Sequence, residues 1–262
     1  MLPNILTAVG DIPVLWLPAA PENVWQDDQG LHESSCEGVV CHTMGGTLAG
    51  CDSWFRNPQS QASANFGISK NGEIHQYVEL YGKAPYANGV AAGSPAARKM
   101  TARVFALSSK HGWTSQNKWT WSIEHEDNGR TTQITDHPKM FDASTRLCAL
   151  LLASLPPERR QTFGHYEFDA VARPYCPGWA TATWEAYDNR VKELIVEAEE
   201  SPFGTPPEPN TRPVGKTYDW NPIKEIMDQG YRDAFDAMSK ATAAFNKCDE
   251  LFEELRRQGA DV

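Results

Sequence analysis

Five prolines fall between residues 201 and 217, in Ser-Pro-Phe-Gly-Thr-Pro-Pro-Glu-Pro-Asn-Thr-Arg-Pro-Val-Gly-Lys-Thr. Proline fixes φ and donates no amide hydrogen bond, so this run excludes helix and favours an extended, semi-rigid linker. It divides the 262 residues into three stretches: 1–200, the linker 201–217, and 218–262. The first stretch is long enough to bury one good core. In the last, Tyr231, Phe235, Met238, Thr242, Phe245, Cys248, Phe252 and Leu255 recur every three or four residues. That is the stripe of a C-terminal amphipathic helix, weakened near its start by Gly230. One helix cannot bury such a stripe alone, so the tail is expected to self-associate, to dock on the first stretch, or to meet another partner.

Composition narrows the partners. The net charge is −10, and no basic patch stands out, which makes nucleic acid a poor partner. An acidic chain gains no long-range attraction from an anionic polymer, so recognition of one must be short-range and specific. No run approaches the roughly 18 consecutive apolar residues of a membrane span. Residues 1–20 lack a basic n-region and carry Asp11, Pro13 and Pro18, unlike a signal peptide. The expectation is a chain made in the cytoplasm with no export route of its own. The six cysteines (36, 41, 51, 148, 176 and 248) show no CxxC spacing, and in that setting all but Cys176 read as reduced, small, buried residues.

Within 1–200, strands and helices alternate. Gly38 to His42 is a short apolar run ending on histidine. Phe66 to Ile68 and Ile74 to Val78 flank Lys70-Asn71-Gly72, and Asn-Gly predicts a hairpin with a type I′ turn. Trp119 to Glu126 alternates apolar and polar residues, as a half-buried strand does. Helices are predicted near 48–56, 138–155 and 180–200, the second from the spacing of Met140, Leu147, Leu151 and Leu155 and its stop at Pro156-Pro157. The residues 90–118 read as a helical insertion near the rim of a cleft. The fold class that follows is mixed α/β (α+β): a central mixed β-sheet flanked by helices.

Three potential zinc donors stand far apart in sequence: His42 at a strand end, His165 in Phe-Gly-His-Tyr-Glu, and Cys176 in Tyr-Cys-Pro-Gly. Zinc needs three or four N, S or O donors brought together by the fold, with one position left open for water at a catalytic site. Each of the three also has an ordinary reading, as a hydrogen-bonded histidine or a buried thiol. Strand alternation places Glu124 and Glu126 on one face and His125 on the other, and two acids on one face are costly to bury unless that face borders a wet cleft. Glu126 either orients a metal ligand or is simply solvated.

Five blocks occur in a recognisable order: Val39-Val40-Cys41-His42-Thr43; Ser63 to Ile68 followed by Asn71 to Val78; Ala84-Pro85-Tyr86-Ala87-Asn88-Gly89; Ser122-Ile123-Glu124-His125-Glu126; and Gly164-His165-Tyr166-Glu167 with Cys176-Pro177-Gly178. Together they resemble the N-acetylmuramoyl-L-alanine amidase type 2 family, which includes the peptidoglycan recognition proteins, over roughly residues 12 to 190. The resemblance implies His42, His165 and Cys176 as ligands of a zinc ion and Glu124 as the catalytic glutamate. It implies hydrolysis of the amide between N-acetylmuramic acid and L-alanine in peptidoglycan, in the manner of a phage endolysin that acts on the wall after release from the cytoplasm. Three departures mark this sequence. Asn65 and Tyr86 stand where many members have histidine, and Pro174 stands where several have a lysine, with Arg173 as its nearest substitute. Asn65, Tyr86 and Arg173 are accordingly expected to contact substrate. The alternatives are a peptidoglycan-binding module without catalysis, a tail-associated phage structural protein, and an intracellular amidase recycling soluble muropeptides.

Overall fold

The computed structural model describes residues 2–25, 31, 33–127 and 132–200. The chain divides into two compact units, Met1–Thr205 and Pro206–Val262, so the boundary falls inside the proline-rich run. The amphipathic stripe between 218 and 262 lies outside the described residues.

Among the described residues nine strands form: β1 (Ala8–Val9), β2 (Ile12–Trp16), β3 (Val24–Trp25), β4 (Gly38–Thr43), β5 (Phe66–Ile68), β6 (Ile74–Gln76), β7 (Ala84–Pro85), β8 (Trp121–His125) and β9 (Gln161–Gly164). Seven make one mixed sheet in the order β1-β2-β6-β5-β8-β4-β9, while β3 and β7 pair separately. The helices are α1 (Leu48–Arg56), α2 (Ala102–Lys110), α3 (Pro138–Ala153), α4 (His165–Phe168) and α5 (Thr181–Glu200).

Local chemistry accounts for the helix limits. Thr47 caps α1, its Oγ1 accepting from the Gly50 amide at 3.1 Å, and Pro58 follows its end. Pro138 opens α3 at a position where its missing N–H costs nothing. Met140, Ala143, Leu147 and Leu151 of α3 and Tyr187, Val191 and Ile195 of α5 are buried with Val39, Cys41, Phe66, Ile68, Trp121 and Ile123 of the sheet in one core. On the opposite face, Cys51 and Phe55 of α1 pack with Ala64, Tyr77 and Val78, and Val104 of α2 packs with Val40, Phe163 and Phe168. The helices therefore flank a central mixed sheet, as the sequence predicts.

Two predictions need correction, and one strand was not predicted at all. The Asn-Gly turn is not type I′. Gly72 alone takes the left-handed conformation, at φ +86°, while Asn71 keeps a negative φ. The Gly72 amide donates to Ser69 O at 3.0 Å, which gives the longer loop in which a turn is followed by a left-handed glycine. The insertion at 90–118 is helical in α2, but none of its residues lines the cleft, because Val104 draws it onto Val40 and Phe163 instead. β2 went unread because Pro13 interrupts it. The structure tolerates Pro13 because it faces only the two-residue β1, and pairing with β6 begins at Val14. Among the described residues the five cysteines are free and buried.

Candidate metal and catalytic site

Strands β8, β4 and β9 run parallel, so their C-terminal ends meet at one edge of the sheet. This edge is where open α/β sheets gather their functional groups. The register sets His42 of β4 opposite Glu124 of β8, and Cys41 opposite Gly164, the residue before His165. Parallel partners share a face, so His42 and Glu124 point the same way, and His42 Nδ1 lies 3.9 Å from Glu124 Oε1. The loop after α4 then returns Cys176 to the same point. Tyr166 N donates to Cys176 O at 2.9 Å, which ties the two ends of that loop together.

One nitrogen from each of His42 and His165 and the sulfur of Cys176 lie within 4.8 Å of one another, and all three residues are buried. The two imidazoles sit 4.3 Å apart between centroids. Hydrogen bonding determines which nitrogen His42 has left. Thr120 Oγ1 gives its one proton to Gln116 O at 2.8 Å, so it accepts from Asn88 Nδ2 at 2.8 Å. That turns Asn88 Oδ1 toward His42, and His42 Nε2 donates to it at 2.7 Å. Nδ1 therefore carries the lone pair. In His165, Nδ1 is buried without a hydrogen-bond partner. Cys176 Sγ accepts from the Thr43 amide at 3.4 Å and from Thr43 Oγ1 at 3.9 Å, as a thiolate would.

The electrostatics suit a cation. Burial, then the neighbouring His165, holds His42 well below the ordinary histidine range, and burial with Arg173 lowers His165 to about 4. Both rings are neutral donors at physiological pH. Burial, then Glu124, pushes the Cys176 thiol up to about 11, a shift that a bound cation would reverse. An orphaned buried nitrogen, a histidine oriented through its far nitrogen and a doubly hydrogen-bonded sulfur form a donor set that fits zinc.

These groups lie at the floor of a cleft of about 500 Å³, walled by the Gly45-Gly46 turn, Cys51 and Trp54 of α1, Ser63, Tyr86 and Arg173. Glu124 keeps 16% of its side-chain surface open to it. Tyr86 stands edge-on to Trp25, centroids 5.4 Å apart, and presents its other side to the cleft. Arg173 is exposed at the rim, with Nη1 donating to Ala172 O at 3.2 Å.

The structure does not bring Asn65 to the cleft. It is fully buried, its Oδ1 accepting from Ser122 N at 3.0 Å and its backbone N donating to Ser122 Oγ at 3.0 Å, so it staples β5 to β8. Glu126 does not touch a donor either, since its Oε2 accepts from the Lys70 amide at 3.0 Å and fixes the hairpin loop. His125 is structural. Its Nδ1 donates to His42 O at 2.8 Å and its Nε2 lies 2.7 Å from Ser144 Oγ, and burial lowers it to about 4. The residues that sequence reasoning passed over are Asn88 and Thr43. Asn88 sits in the Ala84–Gly89 block, two residues after Tyr86. A polar residue between small ones inside a matching block is the signal that marks it.

A family model described as N-acetylmuramoyl-L-alanine amidase matches residues 32–179, more than half of the chain. The chain belongs to this amidase family. A stretch of 74 residues is 38% identical to N-acetylmuramoyl-L-alanine amidase A of Achromobacter lyticus, covering 28% of this chain. The match spans only 39% of that curated relative's length. Among solved structures, PlyL is 12% identical with a TM-score of 0.46, the two matching over 69% of this chain and 97% of that one. A selenomethionine derivative of AmpD is 19% identical with a TM-score of 0.46, over 71% of this chain and 99% of that one. A mutant endolysin from Bacillus subtilis is 14% identical with a TM-score of 0.43, over 70% and 99%.

Proposed function

We propose that this chain is a zinc-dependent N-acetylmuramoyl-L-alanine amidase that cuts the bond between the glycan and the stem peptide of bacterial peptidoglycan. The observation that carries the reading is the convergence of two imidazoles, a thiol and the Glu124 carboxylate at the floor of one cleft. The family match to an amidase model supports it.

His42, His165 and Cys176 would hold the zinc ion, which supplies Lewis acidity toward the amide carbonyl and a water acidic enough to ionise near pH 7. Glu124, partly open to the cleft, takes the proton from the attacking water at its carboxylate and returns one to the leaving amine of L-alanine. Arg173, at the rim above the donors, stabilises the carbonyl oxygen as it gains negative charge, the task that a lysine performs in the sequences this one resembles. Tyr86 offers a rigid aromatic wall to the substrate.

We further propose that the cutting serves wall lysis of the endolysin kind, by an enzyme made in the cytoplasm that reaches the wall after release. The order of an amidase unit followed by a proline-rich run supports this. Digestion of purified peptidoglycan tests the activity. New N-terminal alanine without new reducing sugar ends, lost with a chelator and regained with zinc, is the expected result. Wall that is bound but never cut would favour the binding-module alternative. Lysis of permeabilised cells by added protein tests the role.

A further inference from the structure

The segment from Ala97 to Thr120 carries no donor of the cluster and lines no part of the cleft, yet both histidines are held from it. One arm runs through Asn88. Asn117 Oδ1 accepts from the Ala87 and Asn88 amides at 3.0 and 2.5 Å, Thr120 Oγ1 accepts from Asn88 Nδ2, and Asn88 Oδ1 receives His42 Nε2. The other arm runs through Glu167, two residues after His165 and only 5% exposed. Its carboxylate is filled by four donors. Oε1 takes Arg103 Nη2 at 2.5 Å and the Gly164 amide at 3.1 Å, and Oε2 takes Arg103 Nε at 2.7 Å and Thr101 Oγ1 at 3.2 Å. Arg103 also lies over the Phe163 ring, 4.5 Å from its centroid, and donates to Thr162 O. It thus grips the strand that leads into His165 as well as the helix that contains it.

The grip has a physical reason. α4 is a four-residue helix, too short to hold its own shape, and His165 is its first residue. Outside contacts therefore hold it: Tyr166 N donates to Cys176 O at 2.9 Å, Thr101 N donates to Glu167 O at 3.1 Å, and Arg103 fixes the Glu167 carboxylate. Arg103 is suited to the task because a guanidinium offers two donors in a fixed fork, which locks the carboxylate in direction as well as distance. Cys176, by contrast, is held by Thr43 of β4.

We propose that the segment 97–120 is a two-armed clamp that presets the two histidine donors, with Arg103 a positioning residue for His165 acting through Glu167. The proposal rests on reading His42, His165 and Cys176 as metal ligands. It assigns the insertion a purpose, which is to fix the geometry and raise the affinity of the metal site.

The test uses the full chain loaded with cobalt(II), whose visible spectrum reports coordination geometry and whose affinity is measured by competition with a chelator. Arg103→Met keeps the side-chain stem over Phe163 but loses the fork. It is expected to weaken cobalt binding on the order of tenfold and to shift the absorption bands. Arg103→Lys should recover part of both, and Thr101→Val, a milder change on the same carboxylate, should move both in the same direction by less. Lys110→Met on the same helix breaks a different pair, Lys110 with the buried Glu37 at 2.6 Å, and should lower the melting temperature while leaving spectrum and affinity unchanged. Wild-type spectrum and affinity in Arg103→Met would overturn the clamp alone, as would an equal disturbance by Lys110→Met. If the unmutated chain shows no cobalt bands, the metal reading falls and this proposal falls with it.

Discussion

At the scale of single residues, the site depends on polar side chains whose work is to hold other side chains in place. Asn88 fixes the tautomer of His42, Thr43 prepares the sulfur of Cys176, and Asn65 bolts together the two strands beneath Glu124. Asn65 tests the difference between a contact and a bolt. Asn65→Ala leaves the buried Ser122 amide without its acceptor, and a buried amide stranded in this way costs about 1–3 kcal/mol. The expected outcome is a lower denaturation midpoint with KM for soluble muropeptides close to wild type; a raised KM at unchanged stability would restore Asn65 to the substrate. Tyr86 should behave in the opposite way, since it lines the cleft. Tyr86→Ala is expected to raise KM several-fold, about 1 kcal/mol of lost aromatic contact, with little change in midpoint. The grouping of His42, His165 and Cys176 was legible only through the five blocks in the family's order, since each residue taken singly also has an ordinary reading. Asn88 and Thr43 were not, because the need for a hydrogen-bond partner at a given point in space leaves no periodic trace in the chain.

At the scale of elements, the site is a product of register. β4, β8 and β9 must align to within one residue, because a slip by one turns His42 or Glu124 to the opposite face. Gly38 guards one of these alignments. Its φ is +145°, and a Cβ there would stand 2.0 Å from Gln161 O of β9. Gly38→Ala is expected to force β4 and β9 apart, costing about 3 kcal/mol in a denaturant melt and loosening the approach of His165 to His42. A melt unchanged from wild type would contradict this account of the pairing. α3 was readable from the apolar spacing of Met140, Leu147, Leu151 and Leu155 and from the stop at Pro156-Pro157, both local signals. The outer strands were not. β1 has two residues, β2 holds a proline, and β9 reads only as the approach to His165, so long-range pairing defines them rather than any pattern of their own.

At the scale of the whole molecule, the proline-rich run is expected to separate an autonomous amidase unit from the rest of the chain. Limited proteolysis should cut within 201–217. A fragment ending at Thr205 should melt cooperatively and keep its activity on soluble muropeptides, because the contact boundary lies there. Loss of folding in that fragment would show that the two parts depend on each other. The tail is expected to self-associate or to dock on the first stretch. If removing it changes neither oligomeric state nor binding to walls, that expectation fails. All of this presupposes that the cleft does amide chemistry, and the substitution Glu124→Gln tests that claim most directly. It preserves shape and removes the proton acceptor. The zinc-loaded variant should bind metal as wild type does and release alanine N-termini from peptidoglycan roughly 10²–10⁴-fold more slowly. Release at the wild-type rate, with metal bound, would show that Glu124 is not the proton carrier and that the chemistry assigned to this cleft is wrong.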